Sequence, residues 1–294
     1  MNNIALLFPG QGSQYEGMGD EAWQMSSYAN ELYEVASSIL EYDIKYICFN
    51  ANADQISNTK YAQPSIFIYS MLASQEIKNK NIIFNMVAGH SLGEISALTV
   101  AGVINIEDAL KIIKVRASKM ESSGIRNPGK MLALINADEE QVAEICNIQS
   151  IVVANVNSPK QIVVSGEESK INEAVELSKK INVKRAVKLN VSGAFHSPLM
   201  SDVRDDLKKV LDDVNFNDAL VPVYQNMTCK PTTKAIDLKT NLLNQIENPV
   251  NWVKIVNNMD KNNIDLYIET GPNSILKGLN KRITNNKTIN FNEL

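Results

Sequence analysis

Gly89-His90-Ser91-Leu92-Gly93 spells G-x-S-x-G, with the apolar residues Ile82, Ile83, Phe84, Met86 and Val87 before it and a helix-compatible run over residues 94–101 after it. A strand that turns sharply into a helix needs glycines on both flanks so that neighbouring backbones can approach, and it holds the serine at the tip of the turn. Bare matches to this pattern are common, and a strand-to-helix turn with an accidental serine is the plain alternative. The order strand, serine, helix favours a nucleophile at Ser91.

A serine nucleophile needs a general base, and near neutral pH that is ordinarily histidine. The chain has two. His90 precedes Ser91 directly, where adjacent side chains diverge. His196, on a loop flanked by Gly193 and Pro198, is therefore the base by elimination. No loop acid stands out to complete a triad, whereas an uncharged partner for the His Nδ1–H, a side-chain amide or a backbone carbonyl, is compatible with the sequence. The early loop Pro9-Gly10-Gln11-Gly12-Ser13-Gln14 has the place from which hydrolase-like folds donate a backbone N–H to an oxyanion, and Gln11 is the candidate donor.

Arg116 is the other informative residue. At about 100° per residue, Ala109, Ile112, Ile113 and Met120 share one apolar stripe with Arg116 in its middle, while Lys111, Lys114 and Ser118 face away. A guanidinium pointing inward must meet an anion. An internal carboxylate and a carboxylate on the substrate satisfy the pattern equally well.

The 294 residues suit one large domain, or a large one carrying a smaller insertion, with a substantial core. With 44% hydrophobic and 21% charged residues the chain reads as globular, with neither disorder nor membrane insertion implied. Its N-terminus runs straight into Ile4-Ala5-Leu6-Leu7-Phe8, a first buried strand rather than a leader. Cys48, Cys146 and Cys229 are far apart and lack metal-ligand spacing, which suggests reduced thiols in a cytoplasmic protein, no metal and no cofactor. A formal net charge of −4 argues against general nucleic-acid binding. One basic run, residues 179–188, fits an acidic partner or a solvated edge.

Helices are expected over residues 20–40 and 65–77, separated by a polar loop around 52–59, with Pro64 near the first turn of the second. Another starts at Asn105, a plausible N-cap with Glu107 and Asp108 in the first turn. After a loop at 123–129, strands at 131–135, 151–155, 161–165 and 185–189 alternate with helices at 139–146 and 167–180. That β-α-β-β-α-β order is ferredoxin-like. Beyond the His196 loop come a helix to about residue 214, a strand at 221–224, a helix at 238–246, a strand at 266–269, the loop 270–273, a helix, and a last strand near Ile289. The fold class is α/β, with an α/β-hydrolase-like large subdomain (1–125 and 191–294) built on a parallel sheet and an inserted ferredoxin-like small subdomain (126–190).

Phe8-Pro9-Gly10-Gln11-Gly12-Ser13-Gln14, Gly89-His90-Ser91-Leu92-Gly93-Glu94, Arg116, Asn155-Val156-Asn157-Ser158-Pro159, Gly193-Ala194-Phe195-His196-Ser197 and Asn248-Pro249-Val250 together resemble, in order, the malonyl-CoA:acyl carrier protein transacylases. The resemblance runs from Leu6 to about Ile283. It implies a ping-pong transfer in which Ser91 attacks the malonyl thioester, His196 shuttles the proton, and the backbone amides of Gln11 and Leu92 hold the oxyanion. It also implies that Arg116 grips the malonyl carboxylate, that a carbonyl of Gln245 orients His196, and that His90, Phe195 and Asn155 line the substrate site. Malonyl-CoA and an acyl carrier protein, free or within a polyketide synthase, are the implied partners, served by a monomer. Leu92 and Ala194-Phe195 look malonyl-selective. Gly193-Ala194-Phe195-His196 is similar to freestanding acyltransferases that load polyketide synthases in trans, while Lys130 and Asn136 depart from the small residues usual around their strand. A freestanding acyl hydrolase that clears carrier proteins is the competing enzymatic reading, and a non-catalytic docking protein that uses residues 179–188 is the competing binding reading.

Overall fold

The computed structural model describes residues 3–294. Eleven strands are found among them: β1 (Ile4–Phe8), β2 (Met86–Gly89), β3 (Gly129–Ile135), β4 (Ile151–Ser158), β5 (Gln161–Glu167), β6 (Arg185–Lys188), β7 (Val223–Tyr224), β8 (Pro231–Thr232), β9 (Val250–Asn251), β10 (Leu266–Glu269) and β11 (Lys287–Asn290). They form two sheets. The larger has the order β11-β10-β1-β2-β7-β8, parallel throughout except for β8, which runs against β7. Its central strands are near-continuous apolar runs, as burial on both faces requires.

One face of this sheet packs under the helices Ala29–Leu40, Thr59–Asn79 and Ile106–Arg126 in the largest core; the other is covered by the Trp252–Asp260 and Ile275–Asn280 helices. The smaller sheet has the order β6-β3-β5-β4-β9. Its first four strands are antiparallel neighbours and bury one face under the Glu139–Cys146 and Glu168–Lys180 helices, which is the ferredoxin-like arrangement the alternation of elements implies. The fifth, β9, pairs parallel with β4 and comes from far outside residues 126–190.

Four local expectations are corrected. Residues 20–40 are not one helix but two, Met18–Gln24 and Ala29–Leu40, because the chain turns at residues 25–28, where Ala29 N–H bonds back to Ser26. The polar stretch around 52–59 is not a loop: Asn52 caps a short helix over Ala53–Ser57, and Asn58 then caps the Thr59–Asn79 helix. Pro64 therefore lies inside that helix rather than in its first turn. The carbonyl of Lys60, which a residue other than proline would have bonded at 64, instead accepts the Tyr42 hydroxyl at 2.9 Å. Finally, residues 123–126 are helical, the last turn of Ile106–Arg126, since Gly124 passes against the backbone at Ser192 and Ser123 bonds Asp202 at 2.6 Å.

Candidate active site

The elbow is set by close backbone packing. A Cβ on Gly89 would stand 1.9 Å from the Gly93 backbone, and one on Gly93 would stand 2.0 Å from the Phe8 carbonyl oxygen, so β1, β2 and the Gly93–Val100 helix can meet only with glycine at both positions. Between them Ser91 takes φ +52°, left-handed for a non-glycine residue. Its hydroxyl is thereby presented into a cavity of about 430 Å³ between the two sheets, lined among others by Gln11, His90, Leu92, Arg116, Asn155 and His196.

His196, also left-handed at φ +56°, brings Nε2 to 2.8 Å from Ser91 Oγ. Its other nitrogen, Nδ1, faces two backbone carbonyls, Gln245 at 3.0 Å and Asn248 at 3.1 Å. Both are acceptors only, so the proton sits on Nδ1 and Nε2 offers a lone pair to the serine. Burial, with the nearby Arg116 charge adding to it, pushes the imidazole down to about 3, leaving it neutral and ready to accept a proton at pH 7. The orienting group is thus uncharged. The Gln245 atom that performs it belongs to the backbone, while its side chain turns to Arg116 and the elbow.

Arg116 is 2% exposed. Nη1 donates to Gln63 Oε1 at 2.7 Å, and Nη2 donates to Ser91 Oγ at 3.1 Å and Gln245 Oε1 at 3.2 Å. Among the described residues no Asp or Glu forms an ion pair with it. Burial lowers its proton affinity to about 10, opposed by the charge of Glu94. The guanidinium remains cationic beside the serine, held by neutral amide oxygens. Of the two readings left open by the sequence, an internal carboxylate pair is absent among the described residues.

Gln11 donates its side-chain amide to Thr59 Oγ1 at 3.2 Å and Ser57 O at 3.5 Å. Among the described residues the backbone N–H groups of Gln11 and Leu92 have no acceptor, whereas that of Ser91 is taken by Asn226 Oδ1 at 2.7 Å. His90 points from the elbow to Asn157 Oδ1 at 2.8 Å and leans on Trp252, and burial lowers its proton affinity. Phe195 and Asn155 both line the cavity, Asn155 from β4.

Sequence reasoning gave no role to Gln63, to Asn226 or to the buried Glu94 that closes the elbow motif. Each is an ordinary polar residue in an apolar neighbourhood, and the available signal was that a buried polar side chain requires a partner. The helix pattern of residues 65–77 starts too late to include Gln63, and Asn226 follows a strand too short to show periodicity.

The acyl transferase domain family matches residues 5–286. The chain is 36% identical over 295 residues to the malonyl CoA-acyl carrier protein transacylase of Bacillus subtilis, covering 98% of this chain and 93% of the relative. It is 35% identical over 288 residues to the enzyme of the same name from Staphylococcus aureus, covering 96% and 93%. Among solved structures, the malonyl-CoA:acyl carrier protein transacylase of Helicobacter pylori superposes with a TM-score of 0.92 at 30% identity over 99% of this chain and 94% of that one. A malonyl-transacylase solved in complex with a type II PKS acyl-carrier protein superposes at 0.91 with 31% identity over 97% and 94%. A serine–histidine pair at hydrogen-bond distance, a buried arginine beside it and this likeness over nearly the full length converge: the chain belongs to the acyl transferase domain family, among the malonyl-CoA:acyl carrier protein transacylases.

Proposed function

We propose that this protein moves a malonyl group from malonyl-CoA to the phosphopantetheine thiol of an acyl carrier protein, through an acyl-enzyme on Ser91. The observation that carries the reading is Arg116, a buried cation without a carboxylate partner among the described residues, 3.1 Å from the serine oxygen. A malonyl carboxylate supplies the missing anion and can be met by the guanidinium fork in bidentate fashion.

In the first half-reaction His196 Nε2 takes the Ser91 proton as Oγ bonds to the thioester carbonyl carbon. The carbonyl oxygen gains the negative charge and is received by the free N–H groups of Leu92 and Gln11. Collapse breaks the carbon–sulfur bond, and His196 returns its proton to the departing coenzyme A sulfur. In the second half-reaction the carrier thiol gives its proton to His196 and its sulfur attacks the ester, and Ser91 Oγ leaves with that proton. His90, Phe195 and Asn155 shape the walls of the cavity around the acyl group. The small sheet's edge, with Lys184 and Arg185 exposed, offers positive charge to an acidic carrier.

No helix among the described residues is long and apolar enough to cross a membrane. The three free cysteines support a cytoplasmic setting, in fatty acid or polyketide synthesis. Radiolabelled malonyl-CoA incubated with and without carrier protein tests the reading: label should pass to the carrier and little to free malonate. Rapid release of malonate with no malonyl carrier would make the protein a hydrolase instead.

A further inference from the structure

Behind the elbow runs a chain of buried polar groups that the reaction steps do not use. Glu94, second residue of the Gly93–Val100 helix, is fully buried, yet its carboxylate does not serve its own helix. Oε2 accepts the backbone N–H of Asn226 at 2.6 Å, and Oε1 accepts Gln225 Nε2 at 3.1 Å. Gln225 is itself fixed by donating to Leu238 O at 3.0 Å and by accepting from Asn241 at 2.8 Å. The Asn226 side chain then spans the elbow: Oδ1 accepts Ser91 N–H at 2.7 Å, and Nδ2 donates to Gly89 O at 2.6 Å. From the other side Gln245 Nε2 donates to Ser91 O at 3.1 Å.

Both backbone polar groups of Ser91 are thus occupied by side chains from residues 226 and 245. That matters because a serine at φ +52° occupies a conformation its own local preferences oppose, and it stays there only if its surroundings over-determine it. With the Ser91 N–H committed to Asn226, the neighbouring Leu92 N–H is the donor left free at the elbow for an oxyanion. The same backbone angle sets the face to which the Ser91 Cβ points, and Oγ lies 2.8 Å from His196 Nε2.

We propose that Glu94 and Asn226 are positioning residues for acyl transfer: Glu94 fixes the Asn226 backbone, and the Asn226 amide fixes the nucleophile's backbone so that Oγ and the Leu92 N–H are presented together. This rests on Ser91 being the nucleophile. A fluorophosphonate adduct mapped on the wild-type protein checks that premise separately, since an adduct elsewhere removes the premise itself rather than the positioning role.

The test uses Asn226→Ala, which frees the Ser91 N–H, and Glu94→Gln, which keeps the volume but sets an amide donor against the donors of Gln225 or Asn226. Folded protein is quantified by near-ultraviolet circular dichroism and active sites by the malonyl-enzyme burst, so that a purely structural loss appears as fewer sites and not as slower ones. Per active site, kcat should fall on the order of tenfold or more in Asn226→Ala and by a smaller factor in Glu94→Gln, because misplacing a nucleophile slows chemistry without weakening binding. KM for malonyl-CoA should stay within about twofold, and fluorophosphonate labelling of Ser91 should slow by the same factor as kcat. Unchanged per-site kcat in the folded variants, or a loss carried by KM, overturns the proposal. If Asn226→Ala does not fold, Glu94→Gln decides on the same criteria.

Discussion

At the scale of single residues, the site is tuned by where charge is absent. His196 has carbonyl oxygens, not a carboxylate, behind Nδ1, and a guanidinium rather than an anion in front. Burial and the guanidinium charge disfavour the imidazolium in the free enzyme, and the two carbonyls, which favour it, offset them only in part. Because the folded-state value lies below the ordinary 6.5, protonation is resisted until the pH is well under that value. The acid limb of kcat/KM, which reports the free enzyme, should therefore lie well below the pH 6.5 of an ordinary imidazole. Arg116→Ala removes one of the causes of the depression, so the same limb should move to higher pH. Malonyl transfer should drop by a hundredfold or so, with uncharged acyl groups gaining in relative terms. A pH–rate series on both proteins with malonyl-CoA and acetyl-CoA measures all of this. Equal loss for malonyl and acetyl would make Arg116 structural.

At the scale of elements, strong periodicity and short motifs were legible, and long-range partnerships were not. The elbow, the arginine stripe and the single elements of the β-α-β-β-α-β run are all local patterns, each readable within about twenty residues. Pro64 shows the limit. A proline within a helical pattern argues for a boundary there, and the helix continues through it because Tyr42, on a separate segment, satisfies the freed Lys60 carbonyl. Tyr42→Phe should accordingly cost about 1 kcal/mol, the net worth of one hydrogen bond, with the packing of the partly buried ring kept. Urea unfolding with unchanged m-value checks it. The same reason hid β9: two residues carry no period, and their pairing partner lies almost a hundred positions earlier. Asn226 and Gln63 were invisible for an equivalent reason, since their importance comes wholly from what they touch across the fold.

At the scale of the whole molecule, an acidic chain carries a small basic margin. Among the described residues Lys184 and Arg185 take part in no ion pair, whereas Lys179 is paired with Glu176 and Lys188 bonds Asn172. They flank the start of the edge strand β6, whose far end leads into Leu189, Asn190 and Val191 on the wall of the cavity. Replacing both with alanine should raise KM for the carrier several-fold at low salt and flatten its salt dependence, with KM for malonyl-CoA less affected. Steady-state kinetics at two ionic strengths reads the difference. Unchanged carrier kinetics would remove this margin from the docking surface.

The segment from Gln245 to Asn251 joins two functions in seven residues. Its first half supplies the carbonyls that grip His196, and its second half is β9, stitched to β4 of the smaller sheet. The imidazole is therefore moored to the seam between the sheets instead of to either one. Any displacement of the small sheet relative to the large one would reach His196 through a tether only two residues long, so the Ser91–His196 distance depends on how the two sheets sit against each other.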